Sequence, residues 1–146
     1  MTDGPGFTPA GVYGETDFHY LLESESKRSV RSGYSYRLVL VSQVTSQGEL
    51  GVLDPRVART VMIAMSSCVR ETDYVGWYRQ GHIVGGVLTV IGKDVPVEAI
   101  GGLNGRLLET FRAELGLETS STIRICICSH EEIEQSWREE KVFPAN

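Results

Sequence analysis

Hydrophobic residues recur along the chain with two different periods, and these periods predict its strands and helices. Four consecutive apolar residues, Leu38–Val41, predict a strand over Tyr36–Val44 that is covered on both of its faces. After a polar loop, Pro55 follows Asp54, a candidate helix N-cap, and apolar residues at helical spacing predict a helix that ends near Val69. The core of the chain therefore begins with a buried strand followed by an amphipathic helix.

A hairpin and a second helix follow. Two β-rich segments, Asp73–Tyr78 and Ile83–Ile91, are separated by a short polar stretch in which Gly81 supplies the turn. A second helical stripe begins near Pro96 and is expected to stop at Gly116. Isoleucine then alternates with other residues over 123–128, which predicts a half-buried closing strand.

The order of these elements predicts the fold class. With a helix over 15–31 before the first strand, the chain reads as a helix followed by β-α-β-β-α-β, and a polar helix over 131–141 closes it. This is the split βαβ, or ferredoxin-like, arrangement, a mixed α/β (α+β) fold with a mostly antiparallel central sheet. Residues 1–14, rich in Gly, Pro and Thr, are expected to form a flexible lead, and residues 15–146 a single domain.

Composition and charge limit the kinds of partner that the protein is expected to bind. A chain of 146 residues with 41% hydrophobic and 23% charged residues suits one globular domain. The net charge of −5 argues against non-specific binding to nucleic acid or to an anionic membrane. No apolar run reaches the ~20 residues of a membrane span, and the N-terminus lacks a signal-peptide pattern. We therefore expect a cytoplasmic protein with no nucleic-acid partner and no membrane insertion.

Cysteines and glycine pairs give no further chemistry at this stage. The three cysteines, Cys68, Cys126 and Cys128, are interpreted as small buried core residues in a reducing compartment. Cys126 and Cys128 would share one face of a strand, but two ligands do not make a zinc site. The glycine pairs 85–86 and 101–102 are interpreted as close packing or turns. No metal and no cofactor are predicted.

One segment carries a family resemblance. RETD at Arg70–Asp73, the five residues YVGWY and the turn RQGHI at Arg79–Ile83 (Arg79, Gln80, Gly81, His82 and Ile83) follow one another at a helix-to-hairpin junction. This series resembles GGDEF (diguanylate cyclase) domains, in which an RxxD motif, a five-residue spacer and the GGDEF signature follow in the same order. The resemblance covers roughly residues 15–130 and implies the nucleotidyl cyclase variant of the predicted fold.

The resemblance also implies that catalysis is lost. Family members join two GTP molecules with two metal ions held by acidic residues, and Mg²⁺ requires such oxygen ligands. Gly81 and His82 stand at the acidic positions of the signature turn, and Ser42 and Val44 at those of the first strand. The guanine-holding segment and the late Lys-rich helix of the family are also replaced. His82 is interpreted as a surface turn residue, and the chain as a non-catalytic relative.

What remains by resemblance is the RxxD site, where the family binds its product, cyclic di-GMP. Arg70 would donate in bidentate fashion to phosphate or guanine, and Asp73 would accept from the guanine edge. Arg79 and Arg59 are candidate helpers. The first hypothesis is therefore a degenerate GGDEF domain that acts as a cyclic di-GMP receptor in bacterial signalling.

The alternative is an interaction or dimerisation module that binds no nucleotide. The aromatic residues Trp77, Tyr78 and Tyr74 on the hairpin would support it if they were exposed, because aromatic residues are enriched at interfaces. Aromatic residues in strands also serve as ordinary packing, which would remove this support. A homodimer or a protein partner belongs to this second hypothesis. An enzyme of another class is a third, without a visible nucleophile and base pair.

Overall fold

The computed structural model describes residues 12–33, 35–69, 73–91, 97–129 and 132. Within these residues, five strands and three helices follow the predicted order, with one additional short strand at the start. They are β1 (Val12–Tyr13), α1 (Glu15–Ser32), β2 (Ser35–Gln43), α2 (Pro55–Cys68), β3 (Tyr74–Arg79), β4 (Ile83–Ile91), α3 (Val97–Ser120) and β5 (Ile123–Ser129).

All five strands form one sheet in the order β1-β3-β4-β2-β5. The pairs β2·β4, β2·β5 and β3·β4 are antiparallel, and only β1 runs parallel to its neighbour, β3. Without β1, the order and directions are those of the ferredoxin-like arrangement. The predicted fold class and mostly antiparallel sheet are therefore confirmed.

Strand β1 lies inside the segment expected to be a flexible lead. Val12 pairs with Val75 and Tyr13 with Gly76, so the end of that segment is held at the edge of the sheet. A strand of two residues is too short to show an alternating pattern, so the sequence does not predict it. Its formation depends on pairing with β3, which lies far along the chain. Residues 1–11 lie outside the described residues.

The residues at the helix ends explain why the helix boundaries could be predicted from the sequence. Gly33 ends α1 in the left-handed conformation, with φ of 81°, and its N–H donates to the Ser29 carbonyl. Asp54 caps α2, because its side chain accepts from the Arg56 N–H at 2.9 Å, and Pro55 occupies the first turn.

Helix α3 follows the prediction as far as Gly116 and then has one additional turn. Gly116 does leave helical geometry, with φ of 87° and ψ of 164°, as a stop signal would. The chain then forms one more turn, up to Ser120, before β5 begins. Gly116 therefore ends the long helix, as predicted, and a separate helical turn follows it, closed by the Ser121 N–H, which donates to the Leu117 carbonyl at 3.1 Å. The predicted helix over 131–141 lies outside the described residues except for Glu132.

Two apolar layers cover the two faces of the sheet. Val39 and Val41 of β2 belong to the layer under α2 and α3, whereas Leu38 and Leu40 belong to the layer under α1. All four are 1% exposed or less. The prediction of a central strand buried on both faces is confirmed, and such burial is the main source of stability of the fold.

Glycines in β4 let both layers approach the sheet closely. A Cβ atom on Gly85 would lie 2.8 Å from Cζ of Phe18 in α1, and one on Gly86 would lie 2.8 Å from Cε of Met65 in α2. The interpretation of this glycine pair as close packing is confirmed. No helix among the described residues is both long and apolar enough to cross a membrane.

Candidate functional site

The sheet brings together the two segments in which the resembling family places its metal ligands. Ser42, near the end of β2, pairs with Ile83, the first residue of β4 directly after the hairpin turn. Ser42 is buried, at 3% exposure. In the corner formed by Ser42, Gly81 and His82, these three residues supply a hydroxyl and an imidazole, and none of them supplies a carboxylate. The Glu15 carboxylate reaches the turn only to accept from the Gln80 N–H. In the part of the chain that the structure describes, no group of three or more His, Cys, Asp or Glu side chains is placed to hold a metal ion.

Hydrogen bonds to distant segments hold the turn itself. Gly81 adopts φ of 81°, which favours glycine, and its carbonyl accepts from the Leu53 N–H at 2.8 Å. His82 is half-buried, and its Nδ1 contacts the Gly51 carbonyl at 3.2 Å, which makes Nδ1 the protonated nitrogen. The Gln80 N–H donates to Glu15 Oε1 at 2.7 Å. His82 is therefore a turn residue, as predicted, and it also anchors the turn to the loop before α2.

A small cavity of about 210 Å³ lies beside this corner. It is lined by Gln43, Asp54, Arg56, Val57, Leu115 and Thr119. Two of its polar side chains are already engaged, since Gln43 Nε2 donates to Thr122 Oγ1 at 3.1 Å and Asp54 caps α2. The volume is below the roughly 300–1,000 Å³ of typical ligand pockets. The cavity is therefore too small to enclose a nucleotide.

Asp73 lies at the other end of the hairpin, just before β3. Its Oδ1 accepts from the backbone N–H of Thr89 at 2.9 Å and from the Thr89 hydroxyl at 3.3 Å. Tyr74 and Val87 are the last backbone pair between β3 and β4 on this side. The bonds from Thr89 to Asp73 therefore join the two strands beyond their last backbone pair. Asp73 is half-buried, and Thr89 is 2% exposed. The carboxylate is thus held in place by a strand residue that the motif does not include.

The two candidate helpers of the predicted site, Arg79 and Arg59, lie away from Asp73. Arg70 lies outside the described residues. Arg79 is exposed at the turn end of β3, which places its backbone about 20 Å from that of Asp73 at about 3.3 Å per residue. Arg59 is exposed in α2, about 14 Å along the helix axis from Cys68 at 1.5 Å per residue. Of the predicted ligand residues, only Asp73 is seen at the RxxD position.

The hairpin aromatic residues are packing residues. Trp77 is 3% exposed and Tyr78 is 8% exposed, and Tyr74 is half-buried. Trp77 packs in the layer under α2 and α3, whereas Tyr78 packs under α1. Burial raises the pKa of Tyr78 above its ordinary value. The idea that these aromatic residues form an exposed interface is therefore wrong, and their packing role is confirmed.

The cysteines depart from the prediction that all three are buried core residues. Cys128 is buried, but Cys68 and Cys126 are only partly so. Cys126 and Cys128 do share one face of β5, and their sulfur atoms lie 3.4 Å apart. The spacing of two residues was the signal for this pair. That the sulfur atoms approach each other depends on side-chain rotamers, which spacing does not specify.

No protein-family model and no curated protein matches the chain. Solved structures do. A DGC protein from Thermotoga maritima is 20% identical with a TM-score of 0.65, over 88% of this chain and 92% of that one. The diguanylate cyclase SiaD from Pseudomonas aeruginosa, solved with its activator SiaC, is 22% identical with a TM-score of 0.61, over 87% of this chain and 51% of that one.

A third similar structure is the GGDEF domain of YfiN (TpbB) from Pseudomonas aeruginosa, which is 11% identical with a TM-score of 0.62. The alignment covers 90% of this chain and 77% of that one. The chain therefore has the GGDEF-like, nucleotidyl cyclase fold. It spans about half the length of the SiaD chain. Because one fold hosts many functions, the site residues have to carry the functional argument.

Proposed function

We propose that this chain is a catalytically inactive GGDEF-like domain that acts as a cyclic di-GMP receptor in bacterial signalling, with Arg70 and Asp73 as the ligand-binding residues. The observation that carries the receptor role is the anchored carboxylate of Asp73. Its Oδ1 is held by two hydrogen bonds from Thr89, so its orientation is set before a ligand arrives. Such preorganisation reduces the entropy cost of binding.

The chemistry of the two residues suits cyclic di-GMP. A half-buried carboxylate accepts from the N1–H and N2–H donors of a guanine edge, and a guanidinium donates in bidentate fashion to phosphate oxygens or to guanine O6 and N7. Binding at this end of the hairpin requires no metal ion. Asp73 lies at the opposite end of β3 from the signature turn, which supports a binding role that does not use the turn.

The proposed inactivity rests on the corner formed by Ser42 and the turn. Transfer of a nucleotidyl group from GTP requires metal ions held by oxygen ligands and a clamp for the phosphates. Ser42, Gly81 and His82 supply no carboxylate to that corner. Leu53 and His82 also join the turn to the loop before α2, at 2.8 Å and 3.2 Å. Metal-dependent condensation of GTP has no support from these groups.

Calorimetric titration with cyclic di-GMP tests the receptor role. We expect the wild-type protein to bind and both Arg70→Ala and Asp73→Asn to weaken binding at least tenfold. Asp73→Asn keeps an oxygen acceptor for Thr89 and removes the charge, so its folding is checked by thermal melting. Arg79→Ala is the matched control, and it should bind as the wild type does because it lies at the opposite end of β3. Absence of wild-type binding, or binding indifferent to both changes, would contradict the receptor role.

A cyclase assay with GTP and Mg²⁺ tests the inactivity separately. We expect no cyclic di-GMP to form, whatever the titration shows. Formation of product at a rate above that of a sample denatured by heat would overturn the proposal of inactivity and leave the binding result standing.

An interaction module remains the second candidate. Among the similar structures, SiaD is solved in complex with an activator protein, which shows that a diguanylate cyclase can engage a protein partner. The buried hairpin aromatic residues no longer support this candidate. It predicts self-association, or capture of a defined partner, by a protein that shows no heat of binding with cyclic di-GMP.

A further inference from the structure

Cys126 and Cys128 form a close pair at the edge of the sheet. Their sulfur atoms are 3.4 Å apart, whereas alternate residues of a strand have Cα atoms about 6.6–6.8 Å apart, so both side chains lean toward each other. Strand β5 is the last strand of the described sheet, and β2 is its neighbour. Across β2, Cys126 pairs with Leu40 and Cys128 with Leu38, both of which are buried under α1.

The two thiols have different surroundings. Cys128 is 2% exposed and belongs to the apolar layer under α1. Cys126 is partly exposed. Helix α1 packs mainly against β3 and β2, whereas β5 lies beyond them at the edge of the sheet, which explains this exposure. One thiol is therefore open to a small reagent, and the other is held behind it at contact distance.

The hydrogen bond between the two thiols shifts their pKa values in opposite directions. Either sulfur can donate in the neutral pair, but a Cys126 thiolate can only accept, and the bond that it accepts from the Cys128 S–H lowers the pKa of Cys126 to about 7. The same bond and then burial raise the pKa of Cys128. The Glu132 carboxylate opposes ionisation of both thiols, and Tyr78 is the other titratable group that interacts with Cys128. The exposed thiol is thus also the more acidic one.

We propose that Cys126 and Cys128 are a peroxide-reactive dithiol, in which Cys126 is the attacking thiolate and Cys128 the resolving thiol. An exposed, acidic cysteine beside a resolving cysteine is the arrangement found in redox-sensing proteins. The inference does not depend on the proposed function, because β5 lies at the edge of the sheet opposite β1 and three strands from β3.

The reaction balances with hydrogen peroxide as the oxidant. The Cys126 thiolate attacks one peroxide oxygen, the O–O bond breaks, and the leaving hydroxide takes a proton to give water and a Cys126 sulfenic acid. The Cys128 sulfur then attacks the Cys126 sulfur. The S–S bond forms, the S–O bond breaks, and the hydroxyl group leaves as water with the Cys128 proton. In total, the two thiols lose two electrons and one peroxide becomes two waters.

The spacing of the two cysteines along the strand favours a disulfide that is readily reduced again. The Cα separation of about 6.6–6.8 Å for alternate strand residues is at the upper end of the range that disulfides span. A disulfide at this limit is strained and more readily reduced than a structural one. Because β5 pairs with β2 along residues 123–129, the strain would fall on an edge strand.

Peptide mapping after mild oxidation tests the proposal. Trypsin cleaves after Arg124 and Arg138, so one peptide, 125–138, contains both cysteines, and Cys68 lies in another peptide. After peroxide treatment of the native chain, followed by denaturation and alkylation, we expect peptide 125–138 to lose two hydrogens and its alkylation, with recovery on adding dithiothreitol. Cys68 should remain alkylated, which makes it the internal control.

Two variants separate the steps. Cys128→Ser should stop at a Cys126 sulfenic acid that dimedone traps, whereas Cys126→Ser should leave Cys128 reduced. The Cys68→Ser protein should form the disulfide as the wild type does. Alkylation of Cys126 and Cys128 at peroxide levels that oxidise Cys68, or a disulfide that joins two chains and disappears in Cys68→Ser, would overturn the proposal.

Discussion

The two ends of the β3–β4 hairpin are held by partners in different parts of the fold. At the turn end, residues 79–83 bond to segments outside the hairpin: the Gly81 carbonyl and the His82 side chain bond to backbone groups of the loop before α2, and the Gln80 N–H donates to the Glu15 carboxylate of α1. At the open end, a side-chain carboxylate, Asp73, bonds to the backbone and hydroxyl of Thr89. Both ends satisfy polar groups that would otherwise be exposed or unpaired.

The two ends of the hairpin therefore differ in what their polar groups are available to do. The turn end, which would carry catalysis in the resembling family, uses its polar groups to join the turn to neighbouring segments. The open end places an ionisable group, half-buried, where the chain enters β3. Under the proposed function, one end of the hairpin binds the ligand while the other end is structural.

The largest effect is expected at the open end. Asp73→Ala removes both bonds to Thr89 and should lower the free energy of unfolding by about 1.5–3 kcal/mol, the range for hydrogen bonds to a charged group. Asp73→Asn retains an acceptor oxygen and should lose less. Urea denaturation measures both. If Asp73→Ala is as stable as the wild type, the anchored carboxylate has no structural role.

A smaller loss is expected at the turn. Gly81 has φ of 81°, so Gly81→Ala should cost about 1–2 kcal/mol through crowding of the added Cβ against the backbone. Gly105→Ala in α3 is the matched control. Its Cβ would meet nothing within 4 Å, and alanine favours a helix by up to about 1 kcal/mol, so stability should rise. Thermal or urea unfolding that shows the same sign for both changes would contradict the strain argument.

The smallest effect is expected from the side chain that joins the turn to the loop. His82→Ala removes the bond to the Gly51 carbonyl and should lower the free energy of unfolding by about 1 kcal/mol. Gln80→Ala is the control, because Gln80 bonds to Glu15 through its backbone N–H, and it should stay within about 0.5 kcal/mol of the wild type. A loss in Gln80→Ala as large as in His82→Ala would show that the His82 bond is not what closes the turn.

Most of the fold was predictable because its signals are local. The apolar run in β2, the cap formed by Asp54 and Pro55, and the glycine in the hairpin turn each act within a few residues. Strand β1 was missed for the opposite reason, because its partner lies more than 60 residues away. The turn after Gly116 is local, and it was missed because Gly116 was taken as the end of helical structure.

The candidate site was predictable only in part. The RxxD motif identified Asp73, and its position before β3 follows from the element order. Its partner Thr89 is 16 positions away and belongs to no motif, so sequence reasoning missed it. His82 was recognised as a turn residue, but the Gly51 contact, 31 positions away, was not visible. The Cys126 and Cys128 spacing was noted, and their unequal exposure was not.

The order of strands and helices, the hairpin and the lack of carboxylates at Ser42, Gly81 and His82 follow from the amino-acid sequence, because periodicity, turn chemistry and residue identity are local properties. The tertiary structure set the rest: which groups anchor Asp73 and His82, which hairpin aromatic residues are buried, and how close the two sulfur atoms on β5 lie. These contacts depend on strand register and on packing between layers, which join residues far apart in the chain.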